Sequence, residues 1–121
     1  MKKILFVATG GTIASKKTEN GLTPQITPEE LISYIPEVEK ICEITAVQPF
    51  NLDSTNMRPQ NWVELVKIIR DKYESYDGFV ITHGTDTMAY AAATLYYLIQ
   101  NSPKPVVLTG SQVSIYARDT D

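Results

Sequence analysis

The sequence predicts an α/β fold in which a parallel sheet is covered by helices on both faces. Four short apolar runs with little alternation, residues 3–8, 43–50, 78–82 and 105–109, read as buried parallel strands. Helical periodicity fills the spaces between the later runs, which is the alternation that a parallel sheet with right-handed crossovers requires. Each run also ends in a polar tip: "TGGT", "NLDST", "HGTDT" and "TGSQ".

Along the chain, the first strand runs through Ile4-Leu5-Phe6-Val7-Ala8 and stops at Thr9. A short helix over 28–35 opens with "TPEE": Thr27 can cap it, Pro28 takes the first turn and Glu30 can close a capping box. In residues 59–76, Trp62, Val66, Ile69, Tyr73 and Tyr76 recur at steps of three and four, with Lys67, Arg70, Asp71 and Glu74 opposite and Pro59 in the first turn. Residues 85–100 form a further helix with Met88, Ala92, Leu95 and Ile99 as its inner stripe, and Ala91 to Ala93 permit close approach to the sheet. Tyr90, Tyr96 and Tyr97 read as packing residues beside that stripe. The arrangement is Rossmann-like or flavodoxin-like, with three layers. After the fourth strand only "SQVSIYARDTD" remains, so the expectation is an incomplete amino-terminal domain over residues 1–121, its sheet broken off after four parallel strands.

Composition narrows the function. At 121 residues there is room for one modest core, and 43% hydrophobic with 21% charged residues is globular. A net charge of −3 offers no attraction to polyanions, which argues against nucleic acid. Cys42 cannot form an internal disulfide and reads as a small buried hydrophobe. No run approaches the ~20 apolar residues of a membrane span, and the apolar stretch after Lys2-Lys3 breaks too early for a secretory signal. The location these features suggest is the cytoplasm.

In parallel sheets ligands gather beyond the carboxyl ends of the strands, which is where the four tips lie. "VATGGTIAS", residues 7–15, leaves Thr12 open to three uses: holding a phosphate, closing a turn, or attacking a substrate. The phosphate use lacks G-x-G-x-x-G and the lysine of G-x-x-x-x-G-K-[ST], and Asp53 falls far beyond the roughly 20 residues expected of a ribose-binding acid. A tight turn, with Gly10 and Gly11 taking unusual angles, competes on equal terms with a catalytic role. In "THGTDTMAY", residues 82–90, Thr85 can cap the following helix and Asp86 suits its positive end, while the helix start also offers N–H groups to an anion. His83, the only histidine, reads as a structural hydrogen-bonding residue and makes no metal site alone. "NLDSTNM" places Asp53, Ser54 and Thr55 in one loop.

"TGGTIAS" near the start, "DSTNM" some forty residues on, and "HGTDTM" after the third strand together resemble the bacterial L-asparaginase family, its cytoplasmic branch in particular. The likeness runs along the whole chain through "PVVLTGSQ". It implies hydrolysis of L-asparagine to L-aspartate and ammonia, with Thr12 as the nucleophile that forms an acyl-enzyme. Thr85 and Asp86 match the family's second threonine and acid, which work with a lysine. Asp53, Ser54 and Thr55 match the loop that grips the substrate's α-carboxylate and α-amino groups, with Gly84 and Asp86 beside it. Backbone N–H groups near Gly11 and Thr85 would receive the oxyanion. No metal or organic cofactor is implied, and relatives form dimers or tetramers.

Departures from the family pattern are visible too. None of the lysines follows the fourth strand, where the family's lysine lies. In the polar lid segment from Lys16 to Thr23, with Gly21 as its hinge, Leu22 stands where an aromatic residue is expected. The resemblance extends to the asparaginase-like subunit of tRNA-dependent amidotransferases, although that subunit carries an extra domain before its first strand. A third reading is a non-catalytic fragment, a binding or assembly module.

Overall fold

A computed structural model of the chain describes residues 1–117, the side chains of Leu22 and Pro24 excepted. Its elements are β1 (Lys2–Ala8), β2 (Ser15–Thr18), β3 (Gly21–Pro24), α1 (Pro28–Ser33), β4 (Cys42–Val47), α2 (Pro59–Lys72), β5 (Gly78–Thr82), α3 (Met88–Leu98) and β6 (Val106–Thr109). Four strands form one parallel sheet in the order β4-β1-β5-β6. The chain therefore builds outward from β1 to one side, then returns across it to the other. This reversal puts the topological switch point between β1 and β5, where ligands of such sheets bind.

Parity divides the sheet into two faces. Leu5 and Val7 of β1, with Phe79 and Ile81 of β5, pack on Leu65 and Ile69 of α2 and on Leu95 of α3. The opposite face meets α1 through a smaller cluster of Ala14, Ile26 and Leu31, flanked by Phe6, Ile13 and Ile115. That is the expected three-layer α/β arrangement. Beside α1 an open apolar groove of ≈ 600 Å³ runs over Ile4, Phe6, Ile44 and Val80.

Full burial belongs only to the two central strands. Both outer strands, β4 and β6, alternate between half-buried and exposed positions, because helices cover the middle of the sheet better than its edges. Cys42 sits on β4 and is half-buried rather than enclosed, its thiol 3.6 Å from the Val38 carbonyl.

Helix starts follow their local chemistry with one exception. The Thr27 hydroxyl accepts the Glu30 N–H at 3.2 Å and Pro28 occupies the first turn, as expected. The Glu30 carboxylate faces Lys16 and Tyr116. Pro59 likewise opens α2, where the most buried residue is Leu65, a position the three-and-four stripe passes over. On α3 the inner stripe is Met88, Ala91 and Leu95; Ala92 is exposed, as are Tyr90, Tyr96 and Tyr97, so those tyrosines do not pack into this fold.

The exception is the start of α3, which lies at Met88 with Thr87 as its N-cap rather than Thr85. Thr85 and Asp86 form a turn ahead of the helix. A neighbouring loop completes the cap: the Thr87 N–H donates to Ser54 Oγ at 3.3 Å, and the Thr87 hydroxyl donates to the Ser54 carbonyl at 2.9 Å. The segment Lys16–Thr23 is also different from a loop. It is an antiparallel hairpin with Thr18 paired to Gly21, and Gly21 takes φ 94° at the turn. Asn20 keeps a negative φ, the signature of a turn closed by a left-handed glycine. Gly21 thus closes a turn instead of serving as a hinge, and the side chain at Leu22 lies outside what is described.

Candidate active site

Beyond Ala8 the backbone of β1 does not simply leave the sheet. The Thr9 hydroxyl and N–H both reach the Thr82 carbonyl, at 2.7 and 3.2 Å, and the Thr9 carbonyl accepts the Leu52 N–H at 2.8 Å. The loops after β1, β4 and β5 are therefore stitched together immediately above the strands. Gly11 follows with φ 84° and ψ −179°, a region that only glycine occupies readily. That conformation turns the chain sharply and sets Thr12 at the head of a short 3₁₀ turn. Ser15, buried beneath, anchors this turn by donating its hydroxyl to the Gly11 carbonyl at 2.7 Å.

Glycines bring the loops into direct contact. A Cβ on Gly11 would lie 2.7 Å from the Cα and N of Gly84, and a Cβ on Gly84 would lie 2.6 Å from the Ser54 Cβ. The loops after β1, β5 and β4 are thus in close contact at these glycines. Their tips enclose a cavity of ≈ 70 Å³ lined by Gly11, Thr12, Ser15, Asp53, Ser54, Gly84, Thr85 and Asp86. Seven of the eight residues expected at the site stand together on this wall. Thr55 stands back from it: its hydroxyl and N–H donate to Asp53 Oδ1 at 2.9 and 3.0 Å, holding that carboxylate in place.

Ser15 is a cavity residue that sequence reasoning passes over, although its place four residues beyond Gly11 in a glycine-led turn is a usable signal. The Gly11 N–H donates to the Leu52 carbonyl at 3.1 Å and so braces the turn against the loop after β4.

Beneath the cavity, His83 is fully buried and doubly bonded. Trp62 Nε1 lies 3.3 Å from His83 Nε2, and His83 Nδ1 lies 2.8 Å from the Gly84 carbonyl oxygen. An indole N–H only donates and a carbonyl only accepts, so the imidazole is neutral with its hydrogen on Nδ1. Burial pushes its pKa below the usual histidine value, with the Gly84 hydrogen bond acting weakly the other way. The structural role expected of His83 is what the geometry gives.

Chemically, the cavity offers threonine and serine hydroxyls, two carboxylates at Asp53 and Asp86, and backbone donors at a tight turn. It suits a small zwitterion, with carboxylates for an ammonium group and hydroxyl or N–H donors for a carboxylate. Among the described residues no group of three metal-binding side chains occurs, and no helix is long and apolar enough to cross a membrane.

A family model described as "Asparaginase, N-terminal" matches residues 3–121. Over 113 residues the chain is 42% identical to a component of the glutamyl-tRNA(Gln) amidotransferase of Archaeoglobus fulgidus, covering 92% of this chain and 27% of that protein. It superposes on the thermostable L-asparaginase of Thermococcus kodakarensis with TM-score 0.88 and 40% identity, covering 98% of this chain and 37% of the other. A probable cytoplasmic L-asparaginase from Campylobacter jejuni matches with TM-score 0.84 and 37% identity over 100% of this chain and 36% of its own. The chain thus spans between a quarter and two fifths of the length of these proteins.

Proposed function

The chain belongs to the asparaginase family, and from that premise we propose that it supplies the nucleophile and most of the substrate-binding wall for hydrolysis of L-asparagine to L-aspartate and ammonia. The observation that carries this reading is the meeting of Thr12 with Asp53, Ser54, Thr85 and Asp86 around one small polar cavity. The Thr12 oxygen attacks the side-chain amide carbon; the carbonyl electrons move onto oxygen and return as the C–N bond breaks. The threonine proton leaves with the nitrogen as ammonia, and the product is an aspartyl ester on Thr12. Water then attacks the ester, releasing aspartate and restoring the hydroxyl.

Substrate placement follows from the wall. Asp86 and Asp53 receive the α-ammonium group. Ser54 Oγ accepts the Thr87 N–H, which leaves its own hydrogen to donate to the α-carboxylate. The Thr12 and Thr85 N–H groups stabilise the developing oxyanion, a contribution on the order of 3 kcal/mol per donor in other enzymes. A threonine hydroxyl needs a base, and no lysine lines the cavity among the described residues. The lysine that the family resemblance implies therefore comes from polypeptide outside these residues. The family resemblance further implies that the active form is a cytoplasmic homo-oligomer, a dimer or tetramer.

Ammonia release measured with asparagine tests the proposal directly. The 121-residue chain alone is expected to be inactive, and the chain joined to the carboxyl-terminal part that its relatives possess is expected to turn over. Comparable activity in the short form would show that the catalytic groups are misassigned. Thr12→Ala in the active form is expected to abolish turnover while aspartate still raises the melting temperature.

A second reading has its own support in the 42% identity to the amidotransferase component. Here the same Thr12 chemistry releases ammonia for transfer to an aminoacyl-tRNA rather than to solvent. Asparagine hydrolysis that rises only when an amidotransferase partner and charged tRNA are added would favour it.

A further inference from the structure

Gly84 is the residue around which the cavity is assembled, since Gly11 presses on one side of it and Ser54 on the other. A trans peptide is planar, so the carbonyl of Gly84 and the N–H of Thr85 belong to one rigid unit and point in opposite directions. Whatever holds the Gly84 carbonyl also aims the Thr85 N–H.

The side chain that holds that carbonyl is the buried His83, at 2.8 Å. Its donor role depends on the hydrogen residing on Nδ1, because a bare Nδ1 would face the carbonyl lone pair to lone pair. Trp62 settles the tautomer. Its indole N–H, 3.3 Å from Nε2, requires that nitrogen to be the acceptor and so leaves the hydrogen on Nδ1. The link is long in sequence, from α2 to the tip of β5, and it is sheltered from water, as His83 is 0% exposed.

We infer that Trp62 and His83 are positioning residues for the reaction: the indole fixes the imidazole tautomer, the imidazole pins the Gly84 carbonyl, and the shared peptide turns the Thr85 N–H toward the oxyanion. This rests on the asparaginase reading for its chemistry, although the tautomer and the hydrogen bond stand apart from it. A hydrogen bond accepted by the carbonyl also polarises the amide and strengthens its N–H as a donor. Neither residue touches substrate. Their effect falls on the transition state, where the oxyanion exists, and hence on kcat more than KM.

The test uses the polypeptide completed with the carboxyl-terminal part of its relatives. His83→Leu removes the donor at similar volume, whereas His83→Asn keeps an N–H near the Nδ1 position. Leucine is expected to lower kcat for asparagine about fivefold, the worth of one neutral hydrogen bond, with KM changed less than about twofold. Asparagine at 83 should recover most of that loss, and melting curves of both variants establish that they fold. His83 is the only histidine of the 121-residue sequence, and the imidazole signals that vanish in His83→Asn identify it in ¹⁵N NMR of the completed polypeptide: the wild type should carry its hydrogen on Nδ1, and Trp62→Phe should shift population toward Nε2. Wild-type NMR with the hydrogen on Nε2 overturns the proposal. So do equal kcat values in the leucine and asparagine variants, at any level. If the wild type hydrolyses no asparagine, the functional reading fails on its own, and the tautomer measurement still decides whether Trp62 and His83 orient the peptide.

Discussion

Replacing Gly84 with alanine tests the convergence of loops on which the site depends. Gly84 lies outside the left-handed backbone region, so an alanine there is resisted by contact alone. Its Cβ would stand 2.6 Å from Ser54 Cβ, 2.7 Å from Ser54 Oγ and 3.1 Å from Ser54 N. Ordinary contact requires 3.4–4 Å, so the loops after β4 and β5 have to part by roughly 1 Å. Ser54 cannot rotate away freely, since its hydroxyl and carbonyl both bond Thr87. Overpacking of this size costs about 1–3 kcal/mol, which in the longer completed polypeptide lowers the melting temperature by about 2 °C per kcal/mol. Parting the loops also separates Thr12 from Thr85, and a misplacement of about 1 Å can reduce turnover on the order of 100-fold. Thermal melts and ammonia release from the completed polypeptide measure both effects. Adding Ser54→Gly removes the two nearest atoms, so the double variant should recover stability through a coupling of about 1 kcal/mol or more. A Gly84→Ala protein that melts and turns over like the wild type, or a stability loss untouched by Ser54→Gly, would refute the loop contact.

Other expectations concern stability. Leu65, 0% exposed at the centre of the larger core, should lose about 2–5 kcal/mol on truncation to alanine, read from urea unfolding. Thr27→Ala removes the hydroxyl that accepts the Glu30 N–H and should cost about 1 kcal/mol by the same measurement. The buried His83 holds its pKa below that of an unfolded imidazole. As pH falls through about 6.5 the unfolded chain binds a proton that the folded chain refuses, so stability present at neutral pH is lost toward acid. His83→Asn should flatten the fall in melting temperature between about pH 7.5 and 5; an unchanged slope would remove His83 as its source.

The sheet is legible in the sequence because burial writes itself as apolar runs, and the four runs appear as four parallel strands with boundaries moved by up to three residues. Helix α1 is legible down to its cap, since Thr27 and Pro28 act on backbone groups a few residues away. What local signals miss is set by neighbours distant in sequence. Thr85 reads as a helix cap from its own surroundings, yet Ser54, more than thirty residues earlier, supplies the cap groups at Thr87 and delays the helix. The stripe of α3 fails at Ala92 because a helix apolar all round carries no phase of its own. The hairpin has a signal in Asn20-Gly21, which the polar character of the segment outweighs.

The glycines explain why the site residues can be named from motifs but not arranged by them. Within its own loop each glycine reads as a turn. In three dimensions Gly10 lies against Leu52, Gly11 against Gly84, Gly84 against Ser54, and Gly110 against the His83 carbonyl, where a Cβ would fall at 2.4 Å. The four loops beyond the strand ends are thus braced by contacts that no single loop specifies. Neighbouring strands sit about 4.8 Å apart, and Ala8 is in register with Thr82, so both central loops leave the sheet at the same level. Thr12 follows Ala8 by four residues and Thr85 follows Thr82 by three. With no Cβ between the loops, these two hydroxyls are confined to one crevice by the spacing of the sheet itself, and the precision of the site derives from the most rigid part of the fold.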